Sequence, residues 1–514
     1  MLKFLDTVNA VFPDLTADGG PGKITIDSAF KMTEQGVCTS TQACSKDCRG
    51  GPEPAERARE RLLSFSRLLR LRHTDFHRVL DRELMNKRIR ALGSVALVAI
   101  GTMACTSTVS SPTTAVAGTA HRSVIPTSAY DDRTGITATS IYIGNVSTLS
   151  LGGLFEGALI GARAYADYVN SMGGIDGRKI YVDSGNDNYT GAGNKQATQK
   201  AIANDAALVG DFSTFDSFGG VLLAEHPGIP DVSVVLDYRT NSLPNVFSPV
   251  PLRQGWLEGP LQYFKQRFPT GVKAVGAVIA DLPSTEAQWQ NEKYVMQKVG
   301  YKVIYDETYD ESQVDFTQNV IAMRNQGVKV LFIDQMPEIY ASALLKDLAQ
   351  QNFHPHIVLG ASAYSSQLVA ASGGPSAVAG AYLNQTTSLY LGGDESTIPA
   401  VATFLHWVNV ASPGFKPDLF TMYGWVSGSL FAIAVKNAGS DPSRGSILRA
   451  LSRITMFDAG HIIAPTDPAA KTGSNCYLIA QVVGARFQRL DDPSVDGSTN
   501  GYRCDYQYVT RPNS

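Results

Sequence analysis

The sequence lacks a surplus of either charge. There are 44 lysines and arginines against 47 aspartates and glutamates, which gives a net charge of −3 and a pI near 6.3. A nucleic-acid-binding surface needs clustered basic residues, so we expect no nucleic-acid partner. The ordinary globular balance, with 44% hydrophobic and 18% charged residues, is enough to build real cores in a chain of 514 residues.

Recognisable catalytic motifs are also missing. The sequence has no Gly-x-Ser-x-Gly elbow, no P-loop and no His-Glu-x-x-His helix. His354 and His356 could bind a metal, but their position at a turn between a helix and a strand favours solvated side chains. We therefore expect no catalytic residues, no metal site and no cofactor, and we predict that the protein is not an enzyme.

Cysteine is scarce, with six residues in total and none between Cys105 and Cys476. A late, isolated pair is typical of one disulfide in an oxidising compartment, so we predict a bond between Cys476 and Cys504. Two buried free thiols are the alternative. The three early cysteines lack the paired C-x2-C spacing of common zinc sites: Cys38, Cys44 and Cys48.

Long apolar runs are rare, and the most telling one begins after Met85. Residues 85–90 are cationic, and an apolar run over 91–104 ends in small residues, as in a secretory signal. The run stops at Thr-Met-Ala-Cys105, which resembles a bacterial lipobox and predicts a diacylated cysteine that anchors the protein to the membrane. An ordinary cleavage site at 115–117 competes with it.

Two explanations fit the residues that precede this signal. Residues 1–84 result from a gene start placed too early, or they form a cytoplasmic extension that is largely disordered or helical, with 91–104 as a signal anchor. The first explanation is favoured, and it leaves 85–105 as the lipoprotein signal peptide. Residues 106–133 are small, polar and rich in hydroxyl groups, which predicts a flexible tether.

From residue 136 onward, strands and helices alternate in two successive series. The first series ends with a strand at 232–236, and the second runs from a helix at 254–268 to a strand at 356–359. The remaining chain is mostly helical before two short strands after residue 476. Alternating units of this kind predict parallel sheets covered by helices on both faces, and two series predict two lobes.

Two stretches carry a family resemblance. The first is a Gly-Ala-Arg helix at 157–163, followed by Asn-Ser-Met-Gly-Gly-Ile-Asp-Gly at 170–177 and by Asp187 after the next strand. The second is Tyr-Gly-Trp-Val-Ser-Gly at 423–428. Together they resemble the type I periplasmic (solute) binding proteins, in the branched-chain amino-acid and amide-binding branch. The resemblance covers residues 136–511.

This resemblance implies an α/β fold with two Rossmann-like lobes, parallel sheets and a three-segment hinge. We expect lobe 1 to comprise 136–255 and about 386–440, and lobe 2 to comprise 256–385 and about 441–511. In such a fold the ligand lies in the cleft, beyond the carboxyl ends of the strands, and the lobes close around it.

In lobe 1, candidate ligand-binding residues follow three strand ends. Phe155 takes the place of an aromatic residue that forms one wall of the ligand site in relatives. Ser213 and Thr214 occupy positions where relatives hold a carboxylate or amide with hydroxyls, although a plain helix cap is an equal alternative. The stretch that begins at Leu236 gives backbone and hydroxyl contacts to the ligand carboxylate in amino-acid binders, and here it continues with Asp237 and Tyr238.

In lobe 2, the corresponding candidates are Asp281, Gln335 and Ser362. Many amino-acid binders have a tyrosine next to the first of these positions and an acidic residue near the last, which recognises the ligand ammonium. This chain has Leu282 and Ala363 instead. The departure argues against an ordinary amino acid and favours an amide, an amino-acid derivative or a small organic acid.

The resemblance implies an extracytoplasmic lipoprotein on the outer face of a bacterial membrane. We expect a monomer that captures a small polar molecule and delivers it to the permease of an ABC importer. A ligand-sensing domain that signals through a partner protein, without transport, is the alternative, because the same fold serves both roles.

Overall fold

The computed structural model describes residues 125–310 and 312–512. The upstream segment 1–84 and the signal peptide at 85–105, with its lipidation site Cys105, lie outside the described residues.

The predicted tether ends before residue 133. Thr127–Tyr130 form a 3-10 turn, and within it Ala129 is only 3% exposed. Asp132 accepts a hydrogen bond from Arg444 at 2.9 Å. These residues therefore belong to the folded body, because a buried side chain and a long-range ion pair fix them against it.

The first lobe is built on four parallel strands: β1 (Ser140–Ser147), β2 (Lys179–Asn186), β3 (Ala207–Val209) and β4 (Asp231–Val232). Their order in the sheet is β2-β1-β3-β4. The helices that connect them are α1 (Glu156–Ser171), α2 (Gly191–Asn204), α3 (Asp216–Glu225) and α4 (Tyr238–Ser242). The strand predicted at 232–236 is shorter in the structure. Beyond Val232 the chain leaves the sheet, and the Ser233 hydroxyl accepts the backbone N–H of Asp211.

The second lobe is built on a larger sheet of seven strands: β6 (Val275–Ala280), β7 (Val303–Tyr309), β8 (Val330–Ile333), β9 (His356–Leu359), β10 (Tyr382–Gln385), β11 (Leu478–Val483) and β12 (Arg486–Arg489). Their order is β12-β11-β10-β9-β8-β6-β7. The five earlier strands are parallel, whereas β11 and β12 are antiparallel additions at one edge. Strand β6 is buried at all six positions, as expected for a strand covered on both faces. The helices are α5 (Glu258–Arg267), α6 (Pro283–Lys298), α7 (Thr317–Gln326), α8 (Glu338–Gln350) and α9 (Leu368–Ala371).

The chain returns to the first lobe with three further helices: α10 (Pro399–Ala411), α11 (Leu419–Ala438) and α12 (Arg444–Leu451). Helices α10 and α11 pack against α1. Residues from 441 onward were expected in lobe 2, but α12 packs against α11 and the Thr127–Tyr130 turn. Its Arg444 donates hydrogen bonds to the carbonyls of Ile202 and Asp205, which places α12 in lobe 1.

Three chain segments connect the lobes, at about 247–256, 386–398 and 452–477. They are hydrogen-bonded to one another: Ala464 N–H donates to Thr386 O at 2.8 Å, and the Thr466 hydroxyl donates to Pro249 O at 2.9 Å. Next to them, β5 (Trp256–Leu257) pairs with β13 (Tyr508–Val509) in a two-stranded antiparallel ribbon. The fold class and the three-segment hinge predicted from the sequence are therefore confirmed.

The C-terminal tail is bonded covalently to the last hinge segment. Cys476 and Cys504, the pair predicted from the sequence, form a disulfide with a Cα–Cα distance of 4.2 Å. Backbone hydrogen bonds between Tyr477 and Arg503 run alongside it. The tail therefore holds a fixed position at the hinge.

One of the helices in the described part of the chain, α11, is long and apolar enough to cross a membrane. However, 78% of its apolar window is buried inside the protein, where it packs against α1. Such burial is typical of the core helix of a globular domain.

Candidate functional site

A cavity of about 300 Å³ lies between the lobes, at the carboxyl ends of the strands. Its size is at the lower end of the roughly 300–1,000 Å³ that is usual for small-molecule sites. Both lobes and the hinge contribute to its wall. Six of the nine ligand-binding residues predicted from the sequence line it: Phe155, Thr214, Leu236, Tyr238, Gln335 and Ser362.

Aromatic side chains form the lobe 1 wall of this cavity. Phe155 precedes α1 and is 2% exposed. Its ring contacts Phe212 and Phe420 edge-on, with centroids 4.9 and 4.6 Å apart, and Tyr423 stacks on Phe212. Rings that hold one another in this way give a rigid apolar surface for a ligand. Sequence reasoning found Phe155 but missed Phe420 and Tyr423, which lie on a helix far along the chain.

Three buried oxygen atoms on cavity-lining residues have no hydrogen-bond partner among the described residues: Thr214 Oγ1, Gln335 Oε1 and Gln385 Oε1. The orientation of Gln385 is fixed, because its Nε2 donates to the carbonyls of Thr387 and Ser388 at 3.1 and 2.9 Å. Its oxygen is therefore an acceptor. Buried polar atoms are rarely left unpaired in folded proteins, and these three belong to residues of the cavity wall, so the residues are candidates for ligand contact.

Ser213 does not line the cavity. Its hydroxyl donates to the carboxylate of Asp187, which also accepts the Thr148 hydroxyl at 2.9 Å. Asp187 is fully buried, and burial raises its pKa while these hydrogen bonds oppose the rise. The acidic residue of the family-like motif thus ties together the loops after β1, β2 and β3, and Ser213 is used in that network.

Asp237 is directed away from the cavity as well. Its carboxylate caps α4 by accepting the backbone N–H of Thr240 at 2.8 Å. The backbone N–H groups of Leu236 and Asp237 donate to the carboxylate of Asp216. Burial raises the pKa of Asp216 to about 6, and these N–H groups oppose the shift. The backbone donors expected to meet a ligand carboxylate are therefore already occupied by the protein's own carboxylate.

The lobe 2 candidates differ in their surroundings. Asp281 is exposed and does not line the cavity, although its neighbours Ala280 and Leu282 do. Ser362 lines it, but its hydroxyl is within 3.2 Å of the carbonyls of Asp334 and Met336. Gln335 remains the lobe 2 candidate whose side-chain oxygen has no partner among the described residues, and it is the second residue after β8.

Asp334 brings a carboxyl group to the cavity wall. It is paired with Glu292 on α6, which is 1% exposed. Burial raises the pKa of both groups, and for Glu292 the neighbouring Asp334 charge adds to the rise. Two adjacent carboxyl groups in a poorly solvated place share a proton, since both cannot ionise cheaply. The pair therefore presents at most one negative charge beside the cavity.

The hinge contributes residues that the sequence did not single out. Arg253, Trp256 and Tyr508 line the cavity from the hinge side. For Arg253 and Trp256, the available signal in the sequence was their position just after the Pro-Val-Pro turn at 249–251, where the second series of helices and strands begins. That signal places them near the boundary between lobes, without indicating which of them face the cleft.

The family model described as a periplasmic binding protein matches residues 140–486. The chain belongs to this family. The fold neighbours place it in the type I class, and its relatives in the branched-chain amino-acid branch, so the resemblance found in the sequence is confirmed. A Leu/Ile/Val-binding protein homolog 1 from Brucella abortus is 26% identical over 289 residues, which cover 55% of this chain and 73% of the relative.

Solved structures show the same fold at low identity. A branched-chain amino-acid ABC transporter protein from Thermus thermophilus with bound valine aligns with a TM-score of 0.61 and 13% identity, covering 69% of this chain and 96% of that one. A solute-binding protein from R. palustris in complex with benzoate aligns with a TM-score of 0.57 and 18% identity, covering 73% and 98%. At such identities the likeness shows the fold alone.

Proposed function

We propose that this periplasmic binding protein captures a small polar molecule in the interlobe cavity and delivers it to an ABC importer. The observation that carries the proposal is the cavity itself, which lies between both lobes and is lined by residues whose buried oxygens have no partner in the described part of the chain. Family membership implies an exported, extracytoplasmic ligand-binding protein. An amino-acid-like molecule or an amide would supply donors to the Gln335 and Gln385 oxygens, whereas the carboxylate of a small organic acid would accept from the Thr214 hydroxyl.

Membrane attachment through Cys105 is the second part of the proposal. The cationic start, apolar run and lipobox-like end at 85–105 support it. A lipid anchor would keep a monomeric receptor close to the permease. Cys105→Ala is expected to release the protein from the membrane fraction, and the mass of the mature N-terminus would identify the acylated cysteine.

Binding without chemistry fits the site. The polar groups around the cavity are mostly engaged in the protein's own hydrogen bonds, as with Asp187, Asp216 and Ser362. A hydrolase or transferase needs a nucleophile and a base within hydrogen-bond reach of each other. Relatives bear the names of binding proteins. Turnover of a substrate by the purified protein would contradict this part of the proposal.

The direct test is to identify what the protein carries. The full chain would be purified under native conditions and denatured, and released small molecules would be measured by mass spectrometry. The recovered molecule should raise the melting point when added back, because a ligand at about 100 times its Kd stabilises by about 2.7 kcal/mol. Phe155→Asp should abolish that shift, whereas the exposed Asp281→Ala should leave it unchanged. Release of no solute, together with no shift across a library of amino acids, amides and organic acids, would overturn the proposal.

Delivery is tested separately from binding. Reconstitution with its cognate permease and ATPase should give solute uptake that depends on the receptor. Binding without any permease partner, but with a partner kinase, would instead support the sensing function.

A further inference from the structure

Arg253 lies on the first hinge segment. Its side chain is half-buried and lines the interlobe cavity. Its Nη1 donates to Asn475 Oδ1 at 2.9 Å, and its guanidinium lies 4.7 Å from the centroid of the Tyr508 ring. Among the described residues, no carboxylate oxygen lies within 4.0 Å of it. Arg253 therefore has a neutral partner and an aromatic support, but no counterion.

The guanidinium is held in place by a fixed scaffold. Asn475 Nδ2 donates to Gln507 Oε1 at 2.8 Å, which turns the Asn475 oxygen toward Arg253. Both amide residues lie close in sequence to the disulfide between Cys476 and Cys504. The hinge and the C-terminal tail thus orient the guanidinium in advance, while its Nε and Nη2 remain without a partner in the described structure.

The surroundings make an unpaired cation costly. The wall around Arg253 includes Trp256, Leu257 and Tyr423. A charge in poorly solvated apolar surroundings is usually paired, because it has lost part of its hydration. The other charged group on the wall is Asp334, which is engaged with Glu292. Among the described residues of the wall no free carboxylate is left to pair with Arg253, so a negatively charged ligand in the cavity would supply its counterion.

We propose that Arg253 binds a carboxylate of the transported solute, and that this solute is a monocarboxylic acid with an apolar body. The planar guanidinium offers parallel N–H donors that match a carboxylate, and the aromatic wall of Phe155, Phe420 and Tyr423 receives the body. The inference rests on the proposed function. It also agrees with the occupied backbone donors of Leu236 and Asp237, which leave Arg253 as the available carboxylate partner in the cavity wall.

The test compares acids with their amides and removes the guanidinium. Calorimetry on the full chain, freed of bound solute by denaturation and refolding, would use benzoate, benzamide, 4-methylpentanoate and 4-methylpentanamide. At least one acid should bind, and at least tenfold more tightly than its amide. Arg253→Gln should lower the affinity for that acid at least tenfold. Arg253→Lys should have an intermediate affinity, because lysine keeps the positive charge but lacks the paired N–H donors of the guanidinium. Arg239→Gln is the matched control, since Arg239 is exposed and outside the cavity wall.

Two results would contradict the inference directly. Equal affinity for an acid and its amide would overturn it, as would unchanged affinity in a folded Arg253→Gln variant. If none of the four probes binds, the molecule recovered by mass spectrometry is used instead. A recovered molecule without a carboxylate would overturn the inference but leave the receptor function intact. If Arg253→Gln does not fold, the comparison of acid and amide on the unaltered chain is sufficient. Absence of any bound or recovered solute would overturn the receptor function itself.

Discussion

At the scale of single residues, the carboxylates near the cleft serve the protein's own structure. Asp187 joins three loops, Asp216 holds two backbone N–H groups and Asp237 caps a helix. A carboxylate placed among backbone donors satisfies them more strongly than a neutral group would. We therefore expect the ligand contacts to come from amides, aromatic rings and Arg253 rather than from acids.

Glu292 gives a prediction at this scale. Burial, reinforced by the charge of Asp334, raises its pKa well above the ordinary value. Between the two pKa values, the folded state holds a proton that the unfolded chain has released. The contribution of this proton to the free energy of unfolding is therefore fully present below the unfolded pKa of about 4.3, and it is lost as pH rises through the folded pKa. Glu292→Gln cannot lose this proton. We expect the variant to be more stable than the natural chain by about 1 kcal/mol at pH 8, with less advantage at pH 5.

Urea unfolding between pH 5 and pH 8 measures this effect. Glu286→Gln, an exposed position on the same helix, is the control and should keep the pH profile of the natural chain. A Glu292→Gln profile parallel to that of the natural chain would show that the carboxyl pair does not share a proton.

At the scale of elements, two of the family-like segments, 157–163 and 423–428, prove to form a helix–helix contact. Gly157 and Gly161 on α1 meet Asp418 and Thr421 at the start of α11, and Gly424 on α11 meets Ala158 O on α1. The two backbones approach so closely that a Cβ would collide at each of these positions. The small residues are therefore required by packing within lobe 1 and not by the ligand.

Gly161→Ala tests this contact. The added Cβ would lie 1.9 Å from Thr421 O and 2.8 Å from Trp425 N, both of them backbone atoms that cannot move alone. We expect a loss of about 1–3 kcal/mol in the free energy of unfolding, typical of overpacking. A decrease in the free energy of unfolding would indicate the close helix contact, because Gly→Ala inside an unconstrained helix would increase it by about 1 kcal/mol. Denaturant titration measures it.

Gly228→Ala provides the matched control. A Cβ there has its nearest neighbour, the Ala129 Cβ, at 3.4 Å, which is an ordinary contact. This variant should unfold close to the midpoint of the natural chain. A stabilised Gly161→Ala variant would mean that the helices can separate without cost.

At the scale of the whole molecule, the lobes contact one another across the cleft as well as through the hinge. Asn291 Nδ2 on α6 donates to the Tyr238 hydroxyl on α4 at 3.1 Å. Asn291 is 3% exposed, and Tyr238 lines the cavity. This hydrogen bond can form only while the lobes are close, so it favours the closed arrangement.

Removing the contact should shift the balance toward open molecules. A hydrogen bond worth about 1 kcal/mol changes the closed-to-open ratio about fivefold. Asn291→Ala is therefore expected to increase the radius of gyration of the ligand-free protein in small-angle X-ray scattering. Gln290→Ala on the same helix should leave the radius unchanged, because the Gln290 amide donates to Glu286 on its own helix. Equal radii for Asn291→Ala and the natural chain would contradict a role for this contact in closure.

The sequence by itself determined the α/β class, the two lobes and the family. Hydrophobic periodicity and glycine-rich helix ends are local signals, and they located most helices and strands to within a few residues. The positive φ of Gly173, Gly174 and Gly177, for example, fits the helix stop and turn read from the glycines alone. The isolated late cysteines likewise pointed to the pair that is bonded in the structure.

Only the tertiary structure decided which side chains face the cleft. Strand ends predicted the correct loops, but the direction of each side chain depends on partners from distant segments. Ser213 is turned away by Asp187, and the backbone donors of Leu236 are taken by Asp216. Conversely, Arg253 reaches the cavity because Asn475, 222 residues later in the chain, holds it there. Such contacts join segments that are distant in the chain, within lobe 1 or between hinge segments, and no local pattern in the sequence encodes them.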